Sequence, residues 1–173
     1  PTRDSFRKAL QETFGPEWIT AAEAYPGGSE EELLQSAADY ASDMFISYAT
    51  WKWIEEHAAT SEAPIYRYRF DRTIPGDPAS AFGAIHASDI EYSFNTLDSK
   101  PAGWQEDDRE VAEIMARAFA NFILSGDPNG DGVPDWPEFG DSGAVMYLDT
   151  RSASGPETDR TRYELLDEVT RGR

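Results

Sequence analysis

The chain of 173 residues contains no cysteine, which excludes disulfide bonds and thiolate chemistry and leaves the compartment open. It has only two histidines, His57 and His86, so any proton transfer near neutral pH by an imidazole has two candidates. No apolar run approaches the length of a membrane span. Basic residues are scarce: 15 Lys and Arg stand against 33 Asp and Glu, a formal charge of -18. A field of that sign repels phosphate backbones and anionic headgroups, so neither nucleic acid nor a membrane is expected as a partner. It reads either as attraction of cationic substrates or as a solvated acidic surface. Internal repeats and low-complexity linkers are absent, and the length suffices for a buried core. The start at Pro1, without an initiator Met, leads to the expectation of a fragment or a processed chain.

Apolar spacing predicts a helix from Asp4 to Phe14, stopped by Gly15-Pro16, and a short one over 17–25. After Pro26-Gly27-Gly28, Ser29 and Glu32 form a capping-box pattern opening a helix to about His57. Its stripe, including Leu33, Ala37, Tyr40, Met44, Phe45, Tyr48 and Trp51, is broad enough to pack on a large neighbour. Ile65 to Phe70 reads as a strand and Asp71 to Phe82 as a loop. Glu106 to Ser125 reads as a long helix ended by Gly126, Gly143 to Leu148 as a second strand, and Thr158 as the cap of a last helix through about Val169. Two strands among five or six helices cannot close a sheet, so the remainder of the sheet is expected on a missing amino-terminal portion.

The stretch Gly83-Ala84-Ile85-His86-Ala87-Ser88-Asp89-Ile90-Glu91-Tyr92-Ser93-Phe94 sets His86 on a loop among small residues, a geometry suited to presenting an imidazole, though an ordinary surface histidine is the alternative. His57, at a helix end, reads as structural. The stretch resembles the signature around the catalytic histidine of type-B carboxylesterases, the cholinesterase-like branch of the α/β-hydrolases. Ser42-Asp43-Met44-Phe45, Tyr66-Arg67-Tyr68-Arg69-Phe70, Ala120-Asn121-Phe122, Gly126-Asp127-Pro128-Asn129 and Trp136-Pro137 resemble further blocks of that family, in order, over residues 40 to 150.

The resemblance implies an α/β fold, with residues 1–173 the carboxyl-terminal portion of one α/β-hydrolase domain, helix-rich with few strands. It implies a carboxylic ester hydrolase that works through an acyl-enzyme, with His86 as general base and then acid, and no cofactor. The nucleophilic serine on its G-x-S-x-G elbow and the acidic triad member are not found in this sequence. They are expected on the amino-terminal portion of the same enzyme, which becomes the partner of this chain, and the chain alone is expected to be inactive. Asp89 and Glu91 are assigned supporting or helix-start roles behind His86.

Two other readings stand beside this one. Asp127, Asn129, Asp131 and Glu138 satisfy the string D-x-[DN]-x-[DN]-G-x5-E of a calcium loop, which would make the chain a calcium-dependent interaction module; a metal-free Gly/Pro-rich turn is the alternative for that segment. A cholinesterase-like fold that has lost its nucleophile would be an adhesion or binding protein. Trp51 and Trp53, two residues apart, cannot share a helical face, so core packing is the expected use of the tryptophans rather than one aromatic cage.

Overall fold

The first helix forms where Phe6, Leu10 and Phe14 recur on one face, and all three are buried in the computed structural model, which describes residues 1–140 and 142–172. This helix, α1 (Arg3–Phe14), is followed by α2 (Trp18–Ala24) and α3 (Glu30–Ser42). Ser29 closes its capping box at the start of α3: its Oγ accepts the Glu32 amide at 3.0 Å, and Glu32 Oε2 accepts the Ser29 amide at 2.9 Å. A five-residue π-helical turn, Asp43–Ser47, joins α3 to α4 (Tyr48–Thr60). With α7 (Arg160–Arg171), these helices make one compact unit, Pro1–Glu62 with Thr158–Arg173. Its core is Phe6, Leu10, Phe14, Ala21, Tyr25, Leu33, Leu165 and Leu166. Each large side chain buried this way contributes roughly 1.5–3 kcal/mol.

The π-turn is the main departure from the expected single helix over 29–57. It shifts the phase of the apolar stripe, because the extra residue in a wider turn rotates everything after it about the axis. Leu33 and Trp51 are buried as expected, whereas Met44 and Phe45 are 51% and 68% exposed. The expected cap at Thr158 is corrected: α7 begins one residue later, with Asp159 as N-cap. The Asp159 carboxylate pairs with Arg162 at 3.2 Å, and the Thr158 hydroxyl bonds that carboxylate rather than a helix amide.

The second unit, Ala63–Glu157, is built on a three-stranded sheet of order β1-β2-β3. Strand β1 (Tyr68–Phe70) runs parallel to β2 (Ala144–Leu148), with Tyr68 opposite Met146 and Phe70 opposite Leu148. The strand expected from Ile65 is regular only from Tyr68. Upstream, the Ile65 carbonyl serves the Phe139 amide, and the Arg67 carbonyl accepts both the Met146 amide and the Trp136 indole. The third strand, β3 (Ala153–Pro156), is antiparallel to β2 and was not expected. Ala-Ser-Gly-Pro has turn composition, and its extended form comes from pairing with β2 rather than from propensity.

Between β1 and β2 lie the short helix α5 (Ile90–Ser93) and the long helix α6 (Glu106–Ser125). Gly126 adopts the left-handed conformation (φ 79°) that ends α6, as the sequence predicts. Val111, Ala112, Met115 and Ala118 of α6 pack with Tyr92, Leu97, Trp136, Met146 and Leu148 into the core of this unit. No helix among the described residues is long and apolar enough to cross a membrane.

Candidate active site

A hydrogen bond from the Ser88 amide to the Ile85 carbonyl, 3.0 Å, closes a four-residue turn with His86 and Ala87 at its two central positions. Ala87 has φ 67°, the left-handed region that the third position of a type II turn requires and that glycine usually fills. A non-glycine residue held there costs roughly 1–2 kcal/mol, which surrounding contacts must offset. Gly83, at φ 122°, turns the chain into this segment from the 3-10 turn Pro78–Phe82. The outcome is an exposed imidazole carried on the corner of a tight turn.

His86 lines a cleft of about 520 Å³ formed by residues 74–78, 85–88, 100–102 and Trp104. Each wall is held by local bonds. The Asp77 carboxylate accepts the Ala79 amide at 2.9 Å, Ser80 Oγ accepts the Ile74 amide at 3.3 Å, and the Trp104 indole donates to the Lys100 carbonyl at 3.0 Å.

Asp89 and Glu91 sit behind the turn and, among the described residues, do not line the cleft. Asp89 is the N-cap residue of α5, yet its side chain makes no capping bond; Oδ2 instead accepts the Tyr68 hydroxyl of β1 at 3.1 Å. Burial, and then the neighbouring Asp89 charge, push the Tyr68 phenol well above its ordinary value, so it remains a donor across the neutral range. Glu91 is buried, and its Oε1 lies 2.6 Å from Lys100 Nζ on the cleft wall. The two carboxylates thus tie the segment after His86 to the sheet and to Lys100 of the cleft lining.

Asp108, which no sequence expectation includes, locks the same region. It is fully buried; Oδ1 accepts Arg72 Nε at 2.6 Å and the Tyr92 hydroxyl at 2.9 Å, and Oδ2 accepts the Gln105 amide at 2.7 Å. One carboxylate therefore joins the end of β1, the helix following the His86 turn and the start of α6. Burial alone would raise its pKa, but the three donors outweigh that and hold it below the ordinary carboxylate range. The spacing of Gln105 and Asp108 at the head of α6 was the available signal, since an acid three residues after a cap commonly accepts the cap amide.

The residues of the calcium string lie elsewhere in the same unit, in a loop whose side chains bond the protein itself. Asp127 Oδ1 accepts both the amide and the side-chain nitrogen of Asn129 (2.9 and 2.7 Å). Asn129 Oδ1 accepts the Trp136 amide at 2.8 Å, and Asn121 donates to the carbonyls of Pro128 and Asn129. Asp127 Oδ1 and Asn129 Oδ1, two oxygens a cation would need, are thereby engaged by N–H donors. Among the described residues no three His, Cys, Asp or Glu side chains converge as a metal site, Asp131 and Glu138 included. The tryptophans also separate: Trp51 is buried between Tyr48 and Tyr163, while Trp53 is exposed.

A profile of the carboxylesterase family matches residues 3–165. The chain is 30% identical over 158 residues to phenmedipham hydrolase of Pseudarthrobacter oxydans, covering 87% of this chain and 31% of that protein. It is 32% identical over 104 residues to human bile salt-activated lipase, covering 58% of this chain and 14% of the lipase. Among solved structures, an esterase from Clostridium hathewayi described as hydrolysing aliphatic aromatic polyesters superposes with a TM-score of 0.64 at 27% identity, over 98% of this chain and 33% of that one. A thermophilic PNB esterase superposes with a TM-score of 0.69 at 20% identity, over 96% and 34%, which bears on fold alone. The chain thus spans about a third or less of the length of these proteins. Its helix-rich architecture with a small sheet is that of the carboxyl-terminal part of an α/β-hydrolase.

Proposed function

The chain belongs to the carboxylesterase family, and from that premise we propose that it supplies the general base of a serine carboxylic ester hydrolase. The observation that carries the reading is His86 itself, exposed on the corner of a strained turn at a cleft and backed by two anchored carboxylates. In this reading the imidazole takes the proton of a serine hydroxyl as that oxygen attacks the ester carbonyl, forming the tetrahedral intermediate. It then returns the proton to the departing alcohol, leaving the acyl-enzyme, and repeats the sequence with water as nucleophile to release the acid.

The serine, the acid that orients the imidazole and the oxyanion donors come from the remaining part of the same enzyme, of which both compact units are one domain. Strand β1, at the edge of the described sheet, supports such a continuation, because parallel sheets are ordinarily buried on both faces and paired on. The apolar side chains of Phe122 and Ile123 on α6 are exposed in the same unit, beside Tyr66 and Tyr68. In the complete polypeptide, His86→Ala is expected to lower turnover of a short-chain nitrophenyl ester by about 10³-fold or more, with the circular dichroism spectrum unchanged. Retained turnover would refute the assignment.

A further inference from the structure

Ser88-Asp89-Ile90-Glu91 has the same S-x-x-E spacing as Ser29-Glu30-Glu31-Glu32, yet the two strings end in opposite states. The first is a closed capping box. The second is open: α5 starts a residue later, with Asp89 at the cap and no side-chain cap bond. Ser88 Oγ and Glu91 Oε2, the two side-chain atoms that could serve a box, are both buried without a hydrogen-bond partner among the described residues. Such atoms are rare in folded proteins because each forfeits its hydration for nothing.

What the box would use is held by something else. The Ser88 amide, which Glu91 would accept, is given to the Ile85 carbonyl, and that bond closes the turn presenting His86. The Glu91 carboxylate is held through Oε1 by Lys100. Closing the box would satisfy both stranded side chains and would take the Ser88 amide away from Ile85. It would also free Ala87 from its left-handed conformation. Local hydrogen bonding therefore favours dissolving the His86 turn, and the Lys100 contact, twelve residues from Ser88 in the chain, opposes it.

We propose that Lys100 is a positioning residue for His86: by holding Glu91 away from the Ser88 amide, it keeps the helix start open and the imidazole on its turn. The proposal rests on the role given to His86 above. Lys100 acts through the turn and not on the reacting atoms, so its loss is read in kcat more than in KM.

The test is a double-mutant cycle in the complete polypeptide. Lys100→Met is expected to lower kcat for a nitrophenyl ester about tenfold with KM within about twofold; in a Ser88→Ala background, where the box cannot form, the same change costs less than about twofold. Hydrogen exchange at the Glu91 amide gives a second readout independent of turnover. Lys100→Met slows it with Ser88 present and leaves it unchanged with Ala at 88, so a failure of the hydrolase reading is distinguishable from a failure of this one. Equal kcat losses in the two backgrounds, or Glu91 exchange indifferent to Lys100, overturn the proposal.

Discussion

Each compact unit buries a carboxylate that takes both an arginine and a tyrosine hydroxyl, Asp43 in the first and Asp108 in the second, and these two respond in opposite directions. Asp43, at the start of the π-turn, accepts Arg162 Nε at 2.8 Å and the Tyr25 hydroxyl at 2.9 Å. Asp108 accepts Arg72 Nε and the Tyr92 hydroxyl at similar distances. Burial is the largest influence on both. For Asp43 it prevails over the two donors, Asp159 adds repulsion, and the pKa is raised. For Asp108 the Gln105 amide is a third donor, and the pKa is lowered. A buried carboxylate with a cation and a hydroxyl is nearly balanced, so one backbone amide or one nearby like charge decides its sign.

Neutralising each acid in turn separates the two units most strongly. Asp108→Asn leaves Arg72 with only the distant Asp149 (3.8 Å) among its described ion pairs, and is expected to cost about 3 kcal/mol or more. Asp43→Asn leaves Arg162 still paired with Asp39 and Asp159 (3.0 and 3.2 Å), and should cost about 1 kcal/mol. Chemical denaturation of the complete polypeptide, followed by hydrogen exchange of peptides from each unit, measures both. A larger loss at Asp43 would reverse the argument.

Acidity separates the two carboxylates more finely. Asp108 has a depressed folded pKa, so its contribution is present above the unfolded carboxyl value of about 4 and disappears as pH falls through the lower folded value. Asp43 has a raised folded pKa, so the folded state takes up its proton first, and stability rises as pH falls from the raised value to about 4. Peptides of the first unit in the Asp43→Asn variant should lose that gain in exchange protection. Peptides of the second unit in Asp108→Asn should lose the acid-induced weakening below about pH 4. Parallel pH profiles for the two variants would contradict the opposite signs.

The smallest expected effects concern the two S-x-x-E strings, which repeat the contrast between units at the level of a helix start. Ser29→Ala opens a closed box and should cost about 1 kcal/mol. Ser88→Ala removes a hydroxyl that has no hydrogen-bond partner among the described residues, and should leave stability within about 0.5 kcal/mol or raise it. Thermal unfolding of the two variants side by side checks the difference, and equal losses would mean that the second box is formed in solution.

The helices whose signals are local were legible residue by residue. Arg3–Phe14 and Glu106–Ser125 begin and end within a residue of their expected bounds, because periodic apolar faces, caps and Gly126 act within one or two turns. The π-turn at Asp43–Ser47 was not legible, since the bonding partner of one amide shifts by a single residue without any compositional mark. Neither was β3, whose extended backbone depends on a neighbour and not on its own side chains. At the site, the sequence pointed to His86, Asp89 and Glu91. Nothing in it marked Lys100 and Trp104 as lining the same cleft, or Asp108 as joining three elements.

The sequence by itself determined the family, the order of the principal helices and the histidine around which a function can be built, because these follow from spacings of a few residues that any conformation of the chain carries. Which helix start closes, which way the pKa of a buried acid moves and which residues surround the imidazole depend on contacts made across the fold. Each of those outcomes is a competition between a local partner and a distant one, and the distance between Glu91 Oε1 and Lys100 Nζ exists only once the chain has folded.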